Sequence, residues 1–140
     1  DARRQRQMCI RDRLKEARSS QPQGDGPMLI LAPSAEDQDW PSDRWLALPK
    51  SISKRLATLR SSTLDLNLSM RRRAAAVACA DVVLSSCAIT QRLAVYCGIP
   101  LVALGATPTD FPPRRDIRCL GMRSDLASLT EQEVLDALGF

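Results

Sequence analysis

The sequence predicts an α/β three-layer sandwich built on a mainly parallel sheet. Three observations carry that prediction. Short apolar runs recur in Met28–Ala32, Asp81–Ser85 and Leu101–Leu104, the pattern of strands buried on both faces of a parallel sheet. Amphipathic stretches of helical period separate them, and alternating strands and helices imply right-handed βαβ units with helices on both faces. The chain has 140 residues, 44% hydrophobic and 26% charged, enough for one globular domain with a core of its own.

The folded unit is expected to span residues 28–140. Before it, Leu14–Arg18 reads as the end of a helix, and the Gly, Pro, Ser and Gln residues of 19–27 read as a flexible connector. Residues 1–13 stand apart. Met8-Cys9-Ile10-Arg11-Asp12-Arg13 back-translates as ATG TGT ATA AGA GAC AG plus one base, which resembles a transposon-end sequencing adapter. The segment therefore reads as a non-native, adapter-derived tail. The alternative is a basic amphipathic helix with Met8, Ile10 and Leu14 on a loose common face. Neither reading enters the functional argument.

Met28–Ala32, closed by Pro33, is the first strand. Trp40-Pro41-Ser42-Asp43 opens a helix, with proline in the first turn and acidic charge near the amino end. Pro49 should divide it into two short pieces reaching about Leu59. Leu64, Leu66 and Leu68 alternate with polar residues, as in a half-buried strand. Met70, Ala74, Val77 and Ala78 define the apolar stripe of the next helix, with Arg71–Arg73 mostly on its wet side. After the strand at 81–85, a helix over Ile89–Cys97 turns Ile89, Leu93 and Tyr96 inward and stops at Gly98 and Pro100. Leu101–Leu104 is a buried strand, and Ile117–Leu120 a short one. Thr130 and Glu133 form a capping box for the last helix, and Leu129 and Val134 a hydrophobic staple.

Composition excludes several chemistries. The sequence contains no histidine, which removes histidine-based zinc sites, Ser-His-Asp triads and Cys-His dyads from this chain. Its five cysteines, Cys9, Cys79, Cys87, Cys97 and Cys119, include no C-x-x-C pair and point to a reducing cytoplasm. No metal or other cofactor is expected. The net charge of +4 resides mostly in the tail, where five arginines face two aspartates, leaving the other 127 residues at +1. No nucleic-acid partner is expected on that basis. No apolar run approaches the roughly 20 residues that span a bilayer, and the first thirteen residues lack the apolar core of a signal peptide.

Ligands of such sheets bind at the carboxyl ends of the strands. Three loops qualify: Pro33–Asp39, Ser85–Thr90 and Gly105–Asp110. The second leads into a helix amino terminus, where free N–H groups and the dipole favour a phosphate. Ser85, Ser86 and Thr90 either add hydroxyl donors there or simply cap the helix. Neither G-x-G-x-x-G nor G-x-x-x-x-G-K-[ST] is present, so dinucleotide and P-loop fingerprints are absent.

Residue order narrows the reading. Ala74 to Ser85, then Leu93-Ala94-Val95-Tyr96-Cys97-Gly98-Ile99-Pro100-Leu101-Val102-Ala103-Leu104, then Pro108-Thr109-Asp110 resembles the core segment of family 9 glycosyltransferases, the heptosyltransferase-like enzymes. Upstream, Leu31-Ala32-Pro33-Ser34-Ala35 and Trp40-Pro41-Ser42-Asp43-Arg44-Trp45 are similar to the family's first strand, loop and W-P-x-x-R-W helix start. The resemblance covers most of residues 28–110. It implies a Rossmann-like sheet forming the carboxyl-terminal, donor-binding half of a two-domain B-type glycosyltransferase fold.

The polar signature of that family is altered here. Without gaps, its Asp falls on Cys87, its Ser or Thr on Ala88, its Gly on Ile89 and its His on Arg92. Its Gly after the first-strand Pro is Ser34, and its basic residue before W-P is Gln38 or Asp39. Thr109 and Asp110 survive after a one-residue insertion, and the stretch before Ala74 is short by one βα unit. Arg92 is either a replacement phosphate partner or a solvated helix residue; Arg114 and Arg115 are either diphosphate partners or exposed loop charges. The resemblance thus implies donor-binding positions at Ser34, Ser85, Ser86, Cys87, Ala88, Thr90, Arg92, Thr109 and Asp110. It implies transfer of a sugar from a nucleoside diphosphate sugar, of the ADP-heptose kind, to a glycan or lipid-linked acceptor, with at most peripheral membrane contact. The general base belongs to an upstream half, so this half alone is expected to be inactive. The altered signature leaves open a second reading, a degenerate member acting as a binding module.

Overall fold

The computed structural model describes residues 27–36 and 38–140; the expected tail and nearly all of the connector lie outside them. Five strands, β1 (Met28–Ala32), β2 (Arg60–Thr63), β3 (Val82–Ser85), β4 (Leu101–Leu104) and β5 (Ile117–Leu120), form one sheet in the order β2-β1-β3-β4-β5. Every pairing is parallel. Helices α1 (Ser42–Arg55), α2 (Met70–Ala78), α3 (Ala88–Tyr96) and α4 (Glu131–Leu138) flank it, with 3-10 helices at Pro108–Asp110 and Arg123–Ser128.

Period-two alternation in the central strands supplies two apolar layers. Leu29 and Leu31, with Val82, Leu84, Val102 and Leu104, pack against Trp45, Leu48 and Ile52 of α1 and Val134, Leu135 and Leu138 of α4. Ile30 and Ala32, with Val83, Leu101 and Ala103, pack on the other face against Val77 of α2 and Ala94 of α3. Each fully buried leucine or valine contributes roughly 1.5–3 kcal/mol. The three-layer α/β sandwich predicted from the sequence is the observed architecture.

Four local expectations are corrected. Pro49 lies inside one continuous helix, Ser42–Arg55, because Trp45 and Leu48 before it and Ile52 after it are held by the same buried layer. That packing outweighs the roughly 3 kcal/mol interior-proline penalty. The strand expected at 64–68 lies at Arg60–Thr63 instead. This edge strand exposes most of its side chains and carries no apolar alternation to reveal it. Leu64 N continues the ladder to Leu31 O at 2.8 Å, and the chain then turns. Asn67 N donates to Asp65 Oδ1 at 2.9 Å, and Leu68 N to Asp65 O at 3.1 Å.

Both helices on the second face are rotated from their hydropathy patterns. In α2, Arg73 is buried and Met70 exposed. In α3, Thr90, Gln91 and Ala94 face inward, while Ile89 is half exposed and Tyr96 is 90% exposed. Hydrogen bonds hold the Arg73 guanidinium, the Thr90 hydroxyl and the Gln91 amide nitrogen, so polarity does not bar them from the interior. The helix ends follow prediction. Gly98 takes a positive φ of 71° beyond α3. Thr130 and Glu133 close a reciprocal capping box at the head of α4, with Leu129 and Val134 buried beside it.

Candidate functional site

The chain leaves β1 toward β2 on one side and returns to β3 on the other, so the order reverses between β1 and β3. In open parallel sheets this switch point opens a crevice at the carboxyl ends of the strands. Hydrogen bonds between its two loops make the floor rigid. Ser34 N donates to Ser86 Oγ at 3.0 Å and to Asp39 Oδ2 at 3.1 Å. The Ser86 hydroxyl donates to Asp39 Oδ1, which also accepts from Trp40 N at 2.7 Å. Ser85 Oγ donates to Ala32 O at 2.9 Å and accepts from Cys87 N at 2.9 Å.

Three hydroxyls singled out in the sequence are therefore sealed from the crevice. Ser85, Ser86 and Thr90 are fully buried, the first two binding the loops together. Thr90 Oγ1 accepts from Arg73 Nη1 at 3.0 Å, and Arg73 Nη2 reaches Asp65 O at 2.9 Å. The guanidinium thus joins α2, the turn after β2 and the first turn of α3. None of the three hydroxyls caps α3. Its N-cap is Cys87, which makes no side-chain capping bond, so no side chain takes up the N–H groups at the amino end of α3.

Two clefts open on either side of that end. One, of about 350 Å³, is lined by Pro33, Ser34, Ala35, Glu36, Leu66, Leu68, Met70, Arg73, Cys87 and Ile89. The other, of about 310 Å³, is lined by Ala88, Gln91, Arg92, Gly105, Asp110 and Arg123. Both reach the lower end of the roughly 300–1,000 Å³ typical of small-molecule sites. The structure therefore brings Ser34, Cys87, Ala88, Arg92 and Asp110 to the crevice. Thr109 is exposed on the adjoining 3-10 helix, its hydroxyl 3.0 Å from that of Thr107.

Arg123 is an addition that the sequence did not signal. It opens the 3-10 helix beyond β5, donates from Nη1 to Ser86 O at 3.0 Å and stands 4.0 Å from Glu36 Oε2. Gly105 makes this possible. Its φ is +79°, and a Cβ there would come within 3.2 Å of Arg123 Nε. Arg73 and Gln91 were likewise hidden, one read as a wet-side charge and the other lying on an unmarked helix face. Arg114 is withdrawn from the diphosphate alternative. Its Nη2 and Nε bind Asp116 at 2.6 and 2.9 Å, and its Nη1 reaches Val95 O at 3.2 Å, fastening α3 to the loop before β5.

Asp110 completes the cationic cleft. Thr107 N and Thr107 Oγ1 both donate to its Oδ2, at 2.9 and 3.1 Å. These bonds, the backbone one first, hold its carboxyl below the ordinary carboxylate range, and the Arg92 charge adds to the effect. Burial pushes the nearby Cys119 thiol up, aided by the Asp110 charge. Among the described residues, no group of three His, Cys, Asp or Glu side chains is arranged to hold a metal. No helix among them is long and apolar enough to cross a membrane.

No family profile matches the chain, and no curated protein is similar to it in sequence. In three dimensions it is similar to E. coli ADP-heptose LPS heptosyltransferase II, with a TM-score of 0.62 at 19% identity. The likeness covers 80% of this chain and 45% of that one, so the chain spans less than half of the enzyme it matches. The chain has the fold of the matched part of that heptosyltransferase, an all-parallel sheet flanked by helices.

Proposed function

We propose that this chain is the nucleotide-sugar-binding half of a glycosyltransferase, operating with a second domain that carries the acceptor site and the general base. The observation that carries the reading is the uncapped amino terminus of α3, at the switch point of a parallel sheet and open to clefts on both sides. A diphosphate there meets free N–H groups and a helix dipole. The apolar-walled cleft of Leu66, Leu68, Met70 and Ile89 suits a planar base. Arg92 and Arg123, in the other cleft, face the leaving diphosphate and stabilise its charge electrostatically. Ser34, Cys87, Ala88, Thr109 and Asp110 line or border the donor. Ser85, Ser86 and Thr90 act from below by holding the floor. The donor is a nucleoside diphosphate sugar of the ADP-heptose kind, and the acceptor a glycan or lipid-linked sugar. Free Cys79, Cys87, Cys97 and Cys119 accord with a reducing, cytoplasmic setting.

Thermal unfolding of the full chain with millimolar ADP, UDP, GDP or CMP tests this. Stabilisation by one nucleotide is expected, about 2.7 kcal/mol at 100 times its dissociation constant. One observation favours a second reading, a binding module without transfer activity: Cys87, Ala88, Ile89 and Arg92 occupy the positions of the family's polar signature. Absence of stabilisation by every nucleotide, alone and with the second domain supplied, supports that reading.

A further inference from the structure

Gln91 is 3% exposed, yet it lines the cleft that holds Arg92 and Arg123. Its Nε2 donates to Ser85 O at 2.8 Å and to Leu104 O at 3.2 Å. Both partners are carbonyl oxygens, so the nitrogen must lie on that side and both of its hydrogens are spent. Oε1 then points the other way. Among the described residues no group donates to it, although a buried amide oxygen ordinarily has a partner. Trp45 Nε1 is the fully enclosed side-chain polar atom left without a partner among the described residues, so the Gln91 oxygen is not fully enclosed, and the cleft that Gln91 lines is the opening through which a ligand reaches it. An anchored, oriented acceptor of this kind calls for a donor from a ligand.

Its neighbours define the rest of that ligand. Arg92 and Arg123 offer guanidinium donors, suited to an anionic oxygen. Asp110 receives both Thr107 bonds on Oδ2, leaving Oδ1 as a second acceptor on the same cleft. Two acceptors and two cations within about 310 Å³ match a compact molecule bearing hydroxyls and a phosphate.

We propose that Gln91 is a specificity-determining residue of this cleft, its Oε1 accepting a hydrogen bond from a hydroxyl of a phosphorylated sugar while Arg92 and Arg123 hold the phosphate. The assignment rests on the donor-site reading above, which decides that the sugar end of the ligand enters this cleft. The strand carbonyls aim the acceptor, so the bound sugar is read by its hydroxyl pattern and not by charge alone.

Ligand-observed NMR titration of the full chain with glucose 1-phosphate and with cyclohexyl phosphate tests it, since the two share charge and ring size and differ in ring hydroxyls. Glucose 1-phosphate is expected to bind about tenfold more tightly, as one or two neutral hydrogen bonds allow. In Gln91→Met that ratio falls toward unity while cyclohexyl phosphate affinity holds; a purely structural role would weaken both alike. Equal affinities in the unaltered chain, or an undiminished ratio in Gln91→Met, overturn the proposal. If Gln91→Met fails to fold, Asp110→Ala decides: an undiminished ratio there supports Gln91 as the acceptor, and a ratio near unity assigns the hydroxyl to Asp110 and overturns the proposal. ADP and UDP, titrated in parallel, separate the two ideas. Nucleotide binding with equal phosphate affinities removes the role of Gln91 and leaves the donor-site reading intact. A persistent ratio without nucleotide binding keeps the sugar phosphate site and removes the nucleotide.

Discussion

Arg73 shows how a single side chain can be misplaced by pattern and recovered by contacts. In the triplet Arg71-Arg72-Arg73 it is indistinguishable by type from its neighbours, but it alone of the three is buried. It donates to Thr90 Oγ1 at 3.0 Å and Asp65 O at 2.9 Å. Arg73→Met is expected to lower stability by about 1–3 kcal/mol in urea unfolding, because buried polar partners lose their donor. Arg73→Lys should not restore it, since an ammonium lacks the planar fork that spans two acceptors. Asp110 sets a pH dependence. Its folded-state pKa is lowered, chiefly by Thr107, so its contribution is present above the unfolded value of about 3.9. It is lost as pH falls through the folded value. Asp110→Asn should therefore flatten part of the decline in stability below about pH 4, measured by urea midpoints across that range.

At the scale of elements, legibility depended on whether the signal was local. The capping box of α4 is a contact between residues three apart, with Thr130 Oγ1 and Glu133 N at 3.1 Å, and the sequence named both partners. Thr130→Ala is expected to cost about 1 kcal/mol, seen as a lower urea midpoint at unchanged slope. β1 and β4 were legible for a similar reason, each being an apolar run closed by a proline or glycine. β2 was not. Its residues Arg60-Ser61-Ser62-Thr63 carry little hydropathy signal, and its position comes from backbone pairing with β1 in a register that joins Met28 to Arg60. The continuity of α1 through Pro49 belongs with it, because the forces that override proline lie in the packed layer beneath.

The whole molecule is two apolar layers sharing one sheet, and each central strand feeds both. Ile30 and Leu31 are adjacent in sequence but belong to opposite layers. Ile30→Ala and Leu31→Ala are each expected to cost about 2–5 kcal/mol. Calorimetry of either variant should give one shifted transition and not two, because a strand common to both layers couples their unfolding. The same architecture positions the crevice. Reversal of strand order between β1 and β3 places Ser34, Cys87 and Ala88 side by side, and the chain beyond β5 returns Arg123 to the same edge.

By itself the sequence determined what depends on near neighbours: the α/β class, the central strands, the helix caps and the loops at the strand ends. It also placed Ser34, Cys87, Ala88 and Asp110 in those loops and Arg92 on the helix that follows the second, since a position just beyond a buried strand is set by the strand. Tertiary structure alone decided which polar groups turn inward. That Ser85, Ser86 and Thr90 turn inward depends on partners 17 to 53 residues away. The same is true of Arg123, 37 residues from its contact at Ser86. A buried hydrogen bond forms wherever donor and acceptor meet, and neither residue records in sequence where its partner lies.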